Sequence, residues 1–481
     1  MQTPHYALII RNADIVDGTG APPFRGDLGI NHQHIACIAP SHSLHGDHIL
    51  NATGLVVAPG FIDVHTHDDR EVIDTPAMLP KLTQGVTTVI TGNCGISLAP
   101  WLATCQPPAP LSLIGTQKDY RYATVRAYIA AVEAAQPAVN VGLLIGHSTL
   151  RVNAVADLQR GATPDEISAM QILLAEGLQA GALGLSSGLF YAPAKAADNS
   201  EIIALAKIAA ASGGIYTSHI RDEYNGVLDA LAEACDAAKA AQLPVVLSHH
   251  KCAGPANWGR TTETLAYIKE RRQHQAVGLD AYPYTAGSTV LDPDYVDGVI
   301  RIMISFSEPH PEMQGRDLAD IATEWQVDQK EAALRLHPAG AVYFQMREDD
   351  VERVLSDTHT MIGSDGLPHD SHPHPRLWGA FPRVLGHYSR DKQLFSLSEA
   401  VRRMTSLSAD QFGLKHRGRI ALDHYADLVI FNPGTISDQA TFAHPKQAAS
   451  GIHWVIVNGQ IALQDGVSTG QRSGKVLQRS S

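Results

Sequence analysis

The chain has 481 residues, 44% of them hydrophobic and 18% charged, with a formal net charge of −12. Because a single hydrophobic core stops growing at roughly 250 to 300 residues, this length predicts one large unit and a smaller companion. The acidity and the lack of any Lys/Arg cluster argue against a nucleic-acid partner, no apolar run approaches the roughly 20 residues of a membrane span, and without a secretory signal the default location is cytoplasmic.

In chain order, residues 6–20 read as a β-hairpin, with apolar strands and an Asp17-Gly18 turn, and residues 26–40 add further short strands. Residues 426–433 and 453–460 repeat that style at the far end. Between them, strand-like runs alternate with Ala-rich helical runs such as 223–242, the β-then-α pattern of a parallel sheet. The predicted strands are 60–67, 86–93, 141–147, 182–187, 214–219, 244–249, 276–282 and 360–365. Eight such strands close a barrel, and a doubly wound open sheet is opposed by the missing glycine-rich phosphate loop after the first. The stretch of about 285–359 far exceeds an ordinary connection and predicts a subdomain inserted over the site.

Several of these strands end on, or are followed at once by, a residue type that can bind a metal. His65 and His67 close the first, Cys94 follows the second, His219 and His249 end the fifth and sixth, and Asp365 ends the eighth. A parallel barrel gathers the carboxyl ends of its strands at one face, so these five strand ends, with six donor residues, converge there. On a strand, i and i+2 face the same side, which turns His65 and His67 inward and Thr66 outward. A His-X-His pair alone is weak in a chain with 24 histidines; its coincidence with the other strand ends is what carries weight.

Other histidines read more plainly. His250 should point away from His249 as a packing or surface residue, and His369, His372 and His374 fall in a polar, solvated loop. His147, after the third strand, either orients substrate or fills the rim. Five cysteines without regular spacing argue against a disulfide framework. Cys94, inside Gly92-Asn-Cys-Gly95, is the one placed to face a cavity, and Cys37, Cys105, Cys235 and Cys252 read as buried fillers.

Pro59-Gly-Phe-Ile-Asp-Val-His-Thr-His67, the single histidines after strands five and six, and Gly363-Ser-Asp-Gly366 resemble the amidohydrolase superfamily. The resemblance implies metal-dependent hydrolysis and a small β-sandwich built from both termini. The expected fold is therefore α/β, a (β/α)8 TIM-like barrel at 59–414 with its insertion at about 285–359, and the sandwich formed by 1–58 and 415–481. One departure is informative: hydantoinases and dihydroorotases bridge two metals with a lysine of the fourth strand, and residues 182–191 contain none. Instead, Thr91-Gly-Asn-Cys-Gly-Ile-Ser97 resembles the metal-ligating cysteine segment of the D-aminoacylases, the N-acyl-D-amino-acid deacylases. Ser218-His-Ile-Arg-Asp-Glu223, Ser248-His-His-Lys251, Asp280-Ala-Tyr-Pro-Tyr284, the run from Gly363 to Asp370, and His374-Pro-Arg-Leu-Trp-Gly379 match as well.

The resemblance implies a small-molecule N-acyl-D-amino acid substrate and Zn2+. A thiolate and two imidazoles leave an open fourth position, which suits tight catalytic zinc at Cys94, His219 and His249. His65 and His67, with Cys94 as bridge, form a weaker second site. Asp365 takes the proton of the attacking water and passes it to the departing nitrogen. Lys251, Tyr282, Ser288 and Arg376 are the candidates for the substrate α-carboxylate. Residues 289–295 offer acids and an aromatic rather than a second cation, which favours neutral or hydrophobic side chains. Two rival readings are a cyclic-amide hydrolase, opposed by the missing lysine, and a noncatalytic scaffold, opposed by the complete ligand set.

Overall fold

The computed structural model describes residues 5–479; residues 1–4 and 480–481, which belong to the expected terminal segments, lie outside it. Eight parallel strands, Phe61–Asp63, Val86–Thr91, Asn140–Gly146, Gly184–Gly188, Ile215–His219, Val245–Leu247, Val277–Ala281 and Thr360–Ile362, pair each with the next in chain order. They are short and buried along their whole length, as expected of strands covered by helices on one side and by barrel interior on the other. Several of the surrounding helices begin on a side-chain cap. Pro164–Gln179, for example, starts with proline in its first turn and a reciprocal Thr163/Glu166 capping box.

The seam between the eighth strand and the first is made differently. It has no regular ladder, only a parallel bridge between Thr66 and Gly366 and a bond from the Asp365 N–H to the His65 carbonyl at 2.8 Å. The two segments approach so closely that a Cβ on Gly363 would lie 2.4 Å from the Cβ of His65, which requires glycine there.

Four of the predicted strands run two or more residues too far at their carboxyl ends: the first stops at Asp63, the second at Thr91, the sixth at Leu247 and the eighth at Ile362. The chain leaves extended conformation there in order to aim side chains. Cys94, His249 and Asp365 all adopt left-handed backbone, with φ of 53°, 35° and 51°. The third strand similarly gives way to the helix His147–Ala154.

Both termini contribute to one nine-stranded sheet, stitched together where Val56–Pro59 pairs antiparallel with Leu428–Phe431. It encloses a core of its own that includes Ile10, Ile15, Leu28, Val57, Ile430 and Ile456. The chain then returns to the barrel, where Val476–Leu477 pairs with the third barrel strand, a contact no sequence pattern announced. The insertion holds a three-stranded antiparallel sheet, Gly287–Val290, Ala339–Tyr343 and Ile302–Ser307, and two helices, Leu318–Trp325 and Gln329–Leu336, around a third core.

The cysteine expectation needs correction. All five are free, but Cys105 is exposed in a loop and Cys37 only half-buried on a short strand of the terminal sheet, so just Cys235 and Cys252 are interior fillers. Among the described residues no helix is long and apolar enough to cross a membrane.

Candidate metal centre

Cys94 stands at the middle of the barrel mouth because its loop can sink between strands. A Cβ on Gly92 would lie 2.0 Å from the Leu144 carbonyl oxygen, and one on Gly95 would lie 2.7 Å from the Gly188 nitrogen, so the glycines on either side permit the descent. From there its Sγ lies 3.2 Å from His65 Nε2 and 3.3 Å from His249 Nε2.

Two donor groups result, and Cys94 belongs to both. In one, Cys94, His219 and His249 bring their ligand atoms within 4.8 Å of one another; in the other, His65, His67, Cys94 and Asp365 do the same. All are buried. Both ring nitrogens of His219 and Nδ1 of His67 lack any hydrogen-bond partner. A buried imidazole with two orphaned nitrogens is costly unless something binds it, and with a thiolate and a second imidazole alongside, the donors fit zinc.

The charges are mutually adjusted. Burial alone would raise the Cys94 thiol, but His65 and His249 outweigh it and hold the thiol well below its ordinary range. Burial likewise opposes ionisation of Asp365, and Arg376, followed by His65, overcomes it, so that carboxyl stays far below the usual carboxylate range. His67 is pushed up to about 9, burial being outweighed by its bond to Asp365. Asp365 Oδ1 lies 3.1 Å from His67 Nε2 and 3.4 Å from His65 Nε2, and its Oδ2 lies 2.9 Å from the Arg376 guanidinium.

A cavity opens above the donors, with His67, Cys94, His219, His249 and Asp365 in its wall. Lys251, Tyr282 and Ser288 also line it. Phe190, Tyr191, Tyr224, Tyr295 and Tyr343 make much of the rest, with Phe190 and Tyr295 in ring contact at 5.1 Å.

Of the four candidates for carboxylate binding, Arg376 is placed differently. It is fully buried at the start of the helix Arg376–Arg383, is not part of the cavity wall, and grips Asp365 while donating to the Ser288 carbonyl at 3.0 Å. Lys251 is not a free cation: its Nζ donates to Glu223 Oε1 at 2.6 Å. The same oxygen lies 3.0 Å from His249 Nδ1, which leaves Nε2 for Cys94 and its partners. Burial would raise the Glu223 carboxyl, but Lys251 holds it well below the normal range.

Sequence reasoning gave no role to Glu223 or to Asp280. Asp280 lies 3.3 Å from His65 Nδ1 and accepts from the His249 backbone N–H at 2.9 Å, so one carboxylate orients both histidines from behind. The segments containing these acids were conspicuous, but nothing local distinguishes a buried carboxylate from a solvated one.

The remaining histidines fall outside the donor groups. His250 turns away to Thr264 Oγ1 at 2.8 Å, as expected. His147 is a structural rim residue, its Nε2 2.7 Å from Glu201 Oε1, which also accepts from Arg151. The loop expected to be solvated is only partly so. His374 is buried between the rings of Tyr284 and Phe442 and donates to the Ala286 carbonyl, His372 donates to the Phe442 carbonyl, and His369 lies half-buried near Glu71. The contacts of His372 and His374 tie this loop to Ala286 at the start of the insertion and to Phe442 near the carboxyl end of the chain.

Comparison with known proteins adds independent findings. The profile of the amidohydrolase family matches residues 48–276 and 272–463. A D-aminoacylase of Alcaligenes xylosoxydans xylosoxydans is 48% identical over 98% of both chains. A solved D-aminoacylase, studied for one-metal activation and second-metal attenuation of its binuclear centre, is 48% identical with a TM-score of 0.96 over 98% of this chain and 100% of that one. The N-acyl-D-glutamate deacylase of Bordetella bronchiseptica, solved with zinc and a phosphonate mimic of the tetrahedral intermediate, is 44% identical with a TM-score of 0.95 over 99% of this chain and 100% of that one.

Proposed function

Because this chain belongs to the amidohydrolase family, within its D-aminoacylase group, we propose that it is a zinc-dependent hydrolase that cleaves the linear amide of N-acyl-D-amino acids to a carboxylate and a D-amino acid. The observation that carries this reading is Cys94, the thiolate common to two donor groups beside an ionised Asp365 at a cavity wall. The fourth strand, Gly184–Gly188, bears no lysine, which sets the cyclic-amide reading aside.

Cys94, His219 and His249 are the residues that would hold the tight zinc, and His65 and His67, with Cys94 and Asp365, a weaker second ion. Bound there, zinc supplies Lewis acidity toward the acyl carbonyl and the attacking water. The protein groups manage the proton. Arg376 and the histidines keep Asp365 ionised and therefore basic, with Oδ2 tethered and Oδ1 turned toward the donors. It accepts the proton of the attacking water and delivers it to the departing nitrogen, whose anion would otherwise be a very poor leaving group.

Lys251, Tyr282 and Ser288 lie where a substrate α-carboxylate can be received. Lys251 Nζ lies 2.6 Å from Glu223 Oε1 and 2.9 Å from His249 Nδ1, which leaves one of its three N–H donors for substrate. Lys251 is the one Lys or Arg in the wall, whereas Glu223, Asp292 and Asp365 are all there, so a second carboxylate finds no partner. The aromatic side favours neutral or hydrophobic side chains. Small molecules are thus the partners. The acidic chain gives no footing to nucleic acid, and its five free cysteines agree with a reducing cytoplasm.

The test is a panel of N-acetylated D- and L-amino acids assayed with zinc and after chelation. Turnover of neutral D-substrates, lost on chelation and restored by zinc, is the expected result. Activity on hydantoins with none on N-acetyl-D-methionine would overturn it.

A further inference from the structure

The reaction as described makes no use of the most deeply buried lysine in the barrel. Lys81 lies on the helical turn Leu79–Leu82 with no exposed surface. Its Nζ lies 2.8 Å from Asp63 Oδ2 and 3.3 Å from Asp68 Oδ2, and donates to Ser364 Oγ at 2.9 Å. Asp63 Oδ1 in turn accepts the Ser364 backbone N–H at 2.8 Å and faces that of His65 at 3.4 Å. Asp63 ends the first barrel strand and Ser364 follows the eighth, so the cluster spans the seam that lacks a regular ladder.

The position of that seam matters. His65 and His67 hang from one side of it and Asp365 from the other, each within four residues of Asp63 or one residue of Ser364. Cys94, His219 and His249 follow strands joined to their neighbours by ordinary ladders. A shift across the seam therefore moves Asp365 against His65 and His67 and leaves the other three donors where they are. Burying an ammonium with two carboxylates is weak evidence for stability in itself, and fixing a register is the best-attested use of such a cluster.

We propose that Lys81, through Asp63 and Ser364, is a positioning residue that sets the distance from His65 and His67 to Asp365, and so governs the second donor group and the aim of Asp365 without touching the first. This rests on the zinc-hydrolase reading above. Lys81 makes no contact with substrate.

Lys81→Met strands two buried carboxylates and risks unfolding, so Ser364→Ala, which removes the hydroxyl link across the seam, is the primary variant. Zinc is titrated into the full chain by equilibrium dialysis, and kcat and KM are measured on N-acetyl-D-methionine. The expected result is that the second zinc binds roughly tenfold more weakly and kcat falls by about as much, with the first zinc and KM within about twofold of the parent. Folded Lys81→Met should show the same split more strongly. Equal weakening of both zincs, or a raised KM at unchanged kcat, would reduce the cluster to general scaffolding and overturn the proposal. A parent chain that binds no zinc and hydrolyses no N-acetyl-D-amino acid instead refutes the zinc-hydrolase reading; an active parent with a Ser364→Ala variant identical to it refutes the positioning role alone.

Discussion

Asp365 is held from two sides, by Arg376 on one oxygen and by His67 and His65 on the other, which separates its chemistry from its place in the fold. Asp365→Asn keeps the size and much of the hydrogen bonding but cannot accept the proton. It is expected to lower kcat by roughly 10² to 10⁴-fold while the protein still purifies with zinc at Cys94, His219 and His249. Elemental analysis beside steady-state kinetics checks both halves, and near-parental turnover would remove Asp365 from the mechanism. The residues used in this argument differ in how visible they were. Cys94, His219, His249 and Asp365 could be read from the sequence because donor residue types at several strand ends seldom coincide. Glu223, Asp280 and Lys81 could not, since what marks them is a partner far away in the chain: Asp280 meets His65 across 215 positions, and Lys81 meets Ser364 across 283.

Among elements, the helix His147–Ala154 depends on a buried charge cluster. Arg151 is fully buried and pairs with Glu201, which also receives His147. Burial would raise the Glu201 carboxyl, but His147 and Arg151 outweigh that and hold it at about 2. Since the folded value lies below the ordinary 4.5, the stabilisation is fully present above about pH 4.5 and is lost as pH falls toward 2. Glu201→Gln should flatten that acid limb of a denaturation profile and, by leaving Arg151 buried without its anion, cost roughly 3 to 5 kcal/mol at neutral pH. An unchanged acid limb would show that the cluster does not report on folding. The eight barrel strands themselves were legible from their apolar runs. Their ends were not, because the left-handed turns at Cys94, His249 and Asp365 answer to the geometry of the mouth rather than to the hydrophobic pattern.

At the scale of the whole molecule, donors from five separated segments should make stability depend on zinc. Zinc at about 100 times its Kd adds about 2.7 kcal/mol to the folded state if the unfolded chain does not bind it. Scanning calorimetry with and without zinc should therefore show a rise in Tm that His219→Ala largely abolishes, and a parent chain indifferent to zinc would deny the donor cluster its ion. The terminal sheet was foreseen in outline, from the β-rich style of both ends and the family resemblance. The return of Val476–Leu477 to the third strand was not, because two residues carry no periodicity.

The seam at Thr66 and Gly366 also has a meaning in time. A chain made from its amino end has completed Cys94, His219 and His249 by residue 249, while Asp365 and the bridge partner Gly366 emerge more than a hundred residues later, after the whole insertion. Closing a loop of that span is among the slowest kinds of contact a fold can make. The nascent protein thus has its first set of donors well before it has its proton carrier, and acquires the capacity to turn over substrate only with the last closure of the barrel.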